Sequence, residues 1–175
     1  SFENLPKRWF GIRLSPAKIK IMSFIHLYNR KRAALLFDAF VKAGKGDYSG
    51  LALLSILCDI TSANWGETLF KGGTADLDVD RNYFQEMNPK YSILGSPISM
   101  LHWVPMQINN IIEKMIPECY RKLCDVKTET LLINGSLDVS TPPTYAMRDL
   151  LPHLRNGKSV LLKEMAHCGD ICSSQ

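Results

Sequence analysis

The feature that most constrains the fold is a strand, a helix and a second strand within about thirty residues. Residues 130–133 form a continuous apolar run before Asn134-Gly135, which is typical of a strand covered on both faces. A helix with an apolar stripe is expected from residues 141–143 to a closing turn at Asn156-Gly157, and residues 159–162 form a second apolar strand. This spacing predicts a βαβ unit, in which two parallel strands are joined by a right-handed crossover.

Two side chains capable of acid–base chemistry follow the predicted strands. Asp138 and His167 each come about five residues after one of them. The carboxyl ends of parallel strands lie at one edge of the sheet, and open α/β folds bind their ligands at that edge. We therefore expect a hydrogen bond between carboxylate and imidazole, which would leave the second ring nitrogen able to accept a proton.

Each of these residues also has a purely structural interpretation. Asp138 follows a strand and a glycine, and aspartate is common in such turns. His167 would then be a histidine packed beneath Met165. Their matching positions at the ends of one βαβ unit favour the catalytic interpretation.

The segments around both residues resemble a known enzyme family. Residues 130–143, TLLINGSLDVSTPP, are similar to the seventh strand and acid loop of α/β-hydrolases, above all the tripeptidyl-aminopeptidase and proline-iminopeptidase branch. Residues 163–169, KEMAHCG, are similar to the segment around that family's triad histidine. The resemblance implies that Asp138 is the triad acid and His167 the triad base. The sequence departs from the family's pattern at three positions, Glu164, Met165 and Cys168.

The first part of the chain is predicted to be mainly helical. Helical spacing and capping residues predict a helix from Ser15-Pro16 and further helices over residues 32–41, 48–60 and 106–116. Glycine, asparagine and proline make residues 62–103 mostly loop.

The resemblance extends more weakly into this part of the chain. Residues 46–59, GDYSGLALLSILCD, look like a helix of the cap that this branch inserts after its sixth strand. The implied organisation is a mainly helical cap or lid over residues 1–117, followed by the C-terminal part of the hydrolase core over residues 118–175. The implied fold class is α/β, as the C-terminal portion of an α/β-hydrolase with two parallel strands and their crossover helix.

The sequence lacks the nucleophile that this fold requires. No serine has the Gly-x-Ser-x-Gly setting of the family, and Ser49, the nearest, is predicted to be a helix cap. We expect the serine and the oxyanion loop in a missing N-terminal half before Ser1, and we expect the isolated chain to be inactive. Two parallel strands cannot form a stable sheet alone, so that half or another chain would cover their open edge.

Composition argues against several other functions. The chain is 46% apolar and 22% charged, as in an ordinary globular protein. A net charge of +4 with one short basic cluster at residues 29–32 does not support nucleic-acid binding. No apolar run approaches the ~20 residues that a membrane span needs. The spacing of five cysteines and four histidines does not fit a zinc site, so neither metal nor cofactor is predicted. A cytoplasmic or a secreted location is left open.

The implied function is hydrolysis through a Ser-Asp-His triad, by an aminopeptidase-like peptidase or an esterase acting on a peptide or small-molecule substrate. Two further sets of cap residues are weighed for substrate binding: aromatic residues for a pocket and acidic residues for a substrate amine, namely Trp65, Phe70 and Trp103, and Asp59 or Glu67. The alternatives are a non-catalytic helical interaction module, a degenerate hydrolase scaffold, or a transferase or dehalogenase on the same fold.

Overall fold

The structure is a computed structural model that describes residues 2–62, 77–78, 80–97, 99–109, 117–120, 122–167 and 172. The described chain mixes helices and strands and contains a parallel two-stranded sheet. Two compact units are formed, one from residues 1–25 and 36–117 and the other from residues 26–35 and 118–175. The role of residues 1–117 as a cap stays a prediction.

After a 3₁₀ turn at Phe2–Asn4, the first unit contains a short antiparallel hairpin that the sequence patterns did not predict. Strands β1 (Arg8–Trp9) and β2 (Ile12–Arg13) pair with each other. The two residues between them, Phe10 and Gly11, have φ angles of 44° and 82°. Positive φ at both positions is what the tightest hairpin turns require, and glycine adopts it without strain.

Three helices follow the hairpin, and all three were predicted. They are α1 (Pro16–His26), α2 (Arg30–Ala43) and α3 (Ser49–Ser62). The start of α1 follows from a proline at the first helical position, and Gly44 follows the end of α2. At the start of α3, the amide of Ser49 donates to Asp47 Oδ1 at 3.0 Å. The side chain that satisfies this helix start is therefore that of Asp47, and the prediction for Ser49 was wrong by two positions.

The helices of the first unit pack through apolar residues and one close backbone approach. Fully or nearly fully buried side chains include Ile19 of α1, Leu36 of α2 and Leu51 of α3. A Cβ atom at Gly50 would lie 2.6 Å from that of Ala39, so only glycine permits this approach of α3 to α2.

The remaining described residues of the first unit include three short helical segments beside a small core. These segments are α4 (Tyr83–Glu86), a π-helical turn at Ser99–Trp103, and α5 (Val104–Asn109). Their core contains Leu77, Tyr83, Val104 and Met106. The predicted loop over residues 62–103 thus contains helical turns in its described part. The predicted helix over residues 106–116 begins two residues earlier, and its second half lies outside the described residues.

The second unit contains the predicted βαβ arrangement. Strand β3 (Val126–Gly135) pairs in parallel with β4 (Leu154–Leu162), and their last residues, Gly135 and Leu162, are partners. After a loop over residues 136–142, the crossover is helical, with α6 (Pro143–Tyr145), a π-helical turn at Ala146–Leu150 and a 3₁₀ turn at Leu151–His153. The prediction of two parallel strands joined by a helical segment is confirmed.

The predicted helix-closing turn at Asn156-Gly157 was wrong, because both residues lie inside β4. Asn156 pairs with Glu129 and Gly157 with Thr130. The Asn156 side chain also donates to the carbonyl oxygen of Lys127 at 2.6 Å. Ladder pairing with β3 therefore outweighs the turn preference of the Asn-Gly dipeptide.

The described residues leave the face of the β3–β4 sheet away from the crossover largely exposed. A Cβ atom at Gly157 would lie 3.2 Å from Leu151 Cδ1, so the crossover lies on the face of Gly157. Side chains alternate between faces along a strand, so Leu131, Ile133 and Val160 point to the opposite face. Their exposures are 57%, 50% and 43%. The residues that the structure describes therefore do not supply the predicted cover on both faces.

Candidate catalytic site

Asp138 lies in the loop that leaves β3, and this loop is hydrogen-bonded to the loop that leaves β4. The amide of Ser136 donates to the carbonyl oxygen of Leu162 at 2.9 Å, and the amide of Leu137 donates to that of Met165 at 2.8 Å. The amide of Asp138 donates to the carbonyl oxygen of Gly135 at 3.2 Å and so closes a turn. These bonds join the two strand exits, so the side chains that follow them are held at one edge of the sheet.

The carboxylate of Asp138 is buried and accepts four hydrogen bonds. Its side chain is 5% exposed. The amides of Ser140 and Thr141 each donate to Oδ1 at 2.9 Å. The hydroxyl of Thr141 is 2.8 Å from Oδ2, and Nδ1 of His167 is 2.9 Å from the same oxygen. These donors fill the acceptor positions of an ionised carboxylate. The contact predicted between Asp138 and His167 is confirmed.

These surroundings determine the charge of Asp138 and the tautomer of His167. Burial by itself raises the pKa of Asp138, but hydrogen bonds from the Thr141 amide, the His167 ring, the Thr141 hydroxyl and the Ser140 amide lower the pKa below its ordinary value. An ionised carboxylate can only accept hydrogen bonds, so Nδ1 of His167 carries the proton. Nε2 then has a lone pair that can accept one.

The backbone before His167 is shaped by Gly135 and by a left-handed residue. Glu164 has a φ of 60°, and its amide donates to the Ser136 hydroxyl at 2.8 Å. A Cβ atom at Gly135 would lie 2.2 Å from the Ala166 carbonyl oxygen and 2.3 Å from that of Met165. Only glycine at position 135 therefore permits the loop after β3 to approach the loop after β4 this closely.

Tyr28 holds His167 from a distant part of the sequence. Its carbonyl oxygen accepts the His167 amide at 3.1 Å, and its ring centroid lies 4.6 Å from the centroid of the imidazole at an angle of 50°. The His167 side chain is 24% exposed. None of the described residues forms a hydrogen bond with its Nε2 atom. No sequence signal connects Tyr28 to the site, because Tyr28 and His167 are far apart along the chain and no local pattern links them.

A second Asp–His pair was not singled out from the sequence. His153 Nδ1 lies 3.2 Å from Oδ1 of Asp125, and Arg155 donates to Oδ2 at 3.1 Å. The Asp125 and His153 side chains are 53% and 39% exposed. The pKa of Asp125 is lowered, first by the hydrogen bond from Arg155 and then by that from His153. This pair precedes the two strands, whereas Asp138 and His167 follow them.

The residues weighed for substrate binding in the first unit are only partly described. Asp59 forms an ion pair with Lys18 of α1. Trp103 packs against the small core, with its ring centroid 5.9 Å from that of Tyr83. The other three, Trp65, Glu67 and Phe70, lie outside the described residues.

The described part of the chain has neither a metal-binding cluster nor a membrane-spanning helix. No group of three or more histidine, cysteine or carboxylate side chains there could hold a metal ion. The cysteines described there, Cys58, Cys119, Cys124 and Cys172, are free thiols. None of the described helices is both long and apolar enough to cross a membrane.

No protein-family model, curated protein or solved structure matches this chain. The resemblance to α/β-hydrolases therefore stays a prediction. Support for a function comes from the geometry of Asp138, His167 and the residues that hold them.

Proposed function

We propose that this chain is the C-terminal part of a serine hydrolase of the α/β-hydrolase fold, with Asp138 as the triad acid and His167 as the triad base. The observation that carries the proposal is the 2.9 Å contact between His167 Nδ1 and a buried carboxylate oxygen. That contact leaves Nε2 as the proton acceptor at the edge where the parallel strands end. The nucleophilic serine comes from polypeptide outside these 175 residues.

The proposed reaction is acyl transfer to water in two steps. His167 Nε2 takes the proton of the serine hydroxyl while the serine oxygen attacks the substrate carbonyl carbon. Asp138 stabilises the imidazolium that forms, and the imidazolium then gives the proton to the leaving amine or alcohol. In the second step His167 takes a proton from water while the water oxygen attacks the acyl carbon, the bond to the serine oxygen breaks, and the imidazolium returns the proton to that oxygen. The product is a carboxylic acid, and the site returns to its starting state.

Peptides with a free amino terminus are the first proposed substrates, and carboxylic esters are the second. The order follows from the resemblance to the aminopeptidase branch, while the same acyl transfer serves both classes. Asp59 already pairs with Lys18, so it is not proposed as the residue that binds the substrate amine.

A fluorophosphonate probe on the full-length gene product tests the reaction class. We expect the wild-type protein to be labelled on one serine outside these 175 residues. His167→Ala is expected to lose labelling, because the serine loses its base. Its turnover of aminoacyl amides and small esters is expected to fall at least 10³-fold. His153→Ala is the matched control and is expected to retain both.

Two results would contradict the proposal. Turnover by His167→Ala within tenfold of wild type would show that His167 is not the base. No labelling of a folded full-length wild-type sample would favour the non-catalytic module or the degenerate scaffold.

A further inference from the structure

We propose that Thr141 is a positioning residue of this site, whose hydroxyl shares Oδ2 of Asp138 with the imidazole and so sets both the direction and the basicity of the acid. The role in turnover rests on the proposed function. The hydrogen bonds on which the role depends are properties of the loop itself and can be measured without turnover.

Thr141 contacts both oxygens of the carboxylate. Its amide donates to Oδ1 at 2.9 Å and its hydroxyl lies 2.8 Å from Oδ2. Two donors from one residue fix the plane of the carboxylate. The Ser140 amide is a third donor and also binds Oδ1. The backbone that carries these donors is stiff, because Pro142 follows with a φ of −54° and α6 begins at Pro143. Three of the four donors that orient the Asp138 carboxylate therefore come from its own loop and do not depend on His167.

The shared oxygen also has an electrostatic consequence. A carboxylate oxygen that accepts from a hydroxyl and an imidazole is less basic than one that accepts from the imidazole alone. The Thr141 hydroxyl oxygen also lies 3.4 Å from His167 Nδ1, so all three groups form one small network. The network favours the ionised acid while leaving the proton on the imidazole.

The test compares Thr141→Val, which removes the hydroxyl at nearly constant shape, with Thr141→Ser, which keeps it. In the full-length protein, Thr141→Val is expected to lower kcat on the order of tenfold with KM unchanged, because one hydrogen bond to a charged group is lost. Thr141→Ser is expected to stay within about twofold of wild type in both kcat and KM. Equal behaviour of the two variants would overturn the proposal.

A carboxyl ¹³C titration by NMR separates this inference from the proposed function. We expect the pKa of Asp138 to rise in Thr141→Val and to stay unchanged in Thr141→Ser, whether or not the protein turns over a substrate. An unchanged Asp138 pKa in Thr141→Val would overturn the inference even if His167→Ala is inactive. Inactivity of the wild type with the expected titrations would instead overturn the proposed function alone. If circular dichroism shows that Thr141→Val does not fold, Thr141→Ala takes its place with the same expected rise.

Discussion

The two ends of the β3–β4 sheet carry the same pair of side chains in different surroundings. Asp125 and His153 precede the strands, at 53% and 39% side-chain exposure, and Arg155 also binds the aspartate. Asp138 and His167 follow the strands, at 5% and 24% side-chain exposure. Both pairs have an imidazole nitrogen within hydrogen-bond distance of a carboxylate oxygen. The difference lies in enclosure and in the number of donors that fix the acid.

That difference is the reason for proposing Asp138 and His167, and not Asp125 and His153, as the catalytic pair. Water and salt screen the attraction between exposed charges, so the Asp125–His153 pair is held weakly. Backbone amides hold Asp138 in place without mobile charged partners, and the surrounding protein excludes most of the water. A histidine that acts as a general base needs an acid that is already oriented and shielded from water, because that acid holds the imidazole in place and stabilises the imidazolium. Residue identity alone therefore does not distinguish the two pairs.

The largest expected difference between the pairs is in turnover. Asp138→Asn in the full-length protein is expected to lower kcat by about 10³- to 10⁴-fold, because the asparagine amide disturbs the tautomer of His167. Asp125→Asn is expected to leave kcat within about twofold, since an exposed pair orients nothing at the reacting atoms. Steady-state rates on an aminoacyl amide measure both. Equal losses in the two variants would remove the distinction between the ends of the sheet.

The next effect is on stability and its pH dependence. Asp138→Asn is expected to lower the free energy of unfolding in urea at neutral pH by about 1–3 kcal/mol, because buried donors lose a charged acceptor. The folded protein lowers the pKa of Asp138, so its carboxylate contributes stability above the ordinary value of about 3.9. That contribution is lost as the pH falls through the lower folded-state pKa, so the gap between wild type and variant should close in strong acid. A gap that instead widens in acid would show that the pKa is raised.

Tyr28 provides a smaller test of how His167 is held. Tyr28→Ala removes the ring that packs on the imidazole but keeps the carbonyl that accepts the His167 amide. A several-fold loss of kcat is expected, because one ring contact contributes only about 0.5–1.5 kcal/mol to orientation. Tyr28→Phe keeps the ring and should match wild type. A loss of the same size in Tyr28→Phe would assign the effect to the hydroxyl instead.

The smallest expected effect is the response of the two acids to salt. The pKa of Asp125 is lowered mainly by exposed Arg155 and His153, so 1 M salt, with a Debye length of about 3 Å, should bring it back toward the ordinary value. The pKa of Asp138 depends on short hydrogen bonds to a buried group and should move less. Paired ¹³C carboxyl titrations at low and high salt measure both. A larger salt response at Asp138 would mean that its surroundings are more open than described.

Local signals were sufficient to predict much of the fold. The start of α1 at Pro16 and the stop of α2 before Gly44 each depend on a single residue and its neighbours. Asn156-Gly157 failed as a turn because pairing with β3 is a long-range effect that a local pattern does not contain. The β1–β2 hairpin was missed for a related reason, since two strands of two residues each give no periodicity.

The two central residues of the site could be predicted, but most of the residues that hold them could not. Asp138 and His167 were found because parallel strands end at one edge and both residues follow a strand. The Thr-Pro of the acid loop marked Thr141 as part of a motif without showing that its hydroxyl binds Oδ2. Tyr28 and the Asp125–His153 pair are brought into contact by the tertiary fold, which sequence spacing does not record.

The close approach at Gly135 also bears on how freely this site can vary. The atoms in the way of a Cβ there are the main-chain oxygens of Met165 and Ala166, which every amino acid possesses. The gap between the loops is consequently independent of which side chains occupy those two positions. A substitution at Met165 therefore leaves this backbone contact in place, whereas a side chain at position 135 would push the two loops apart and shift the imidazole.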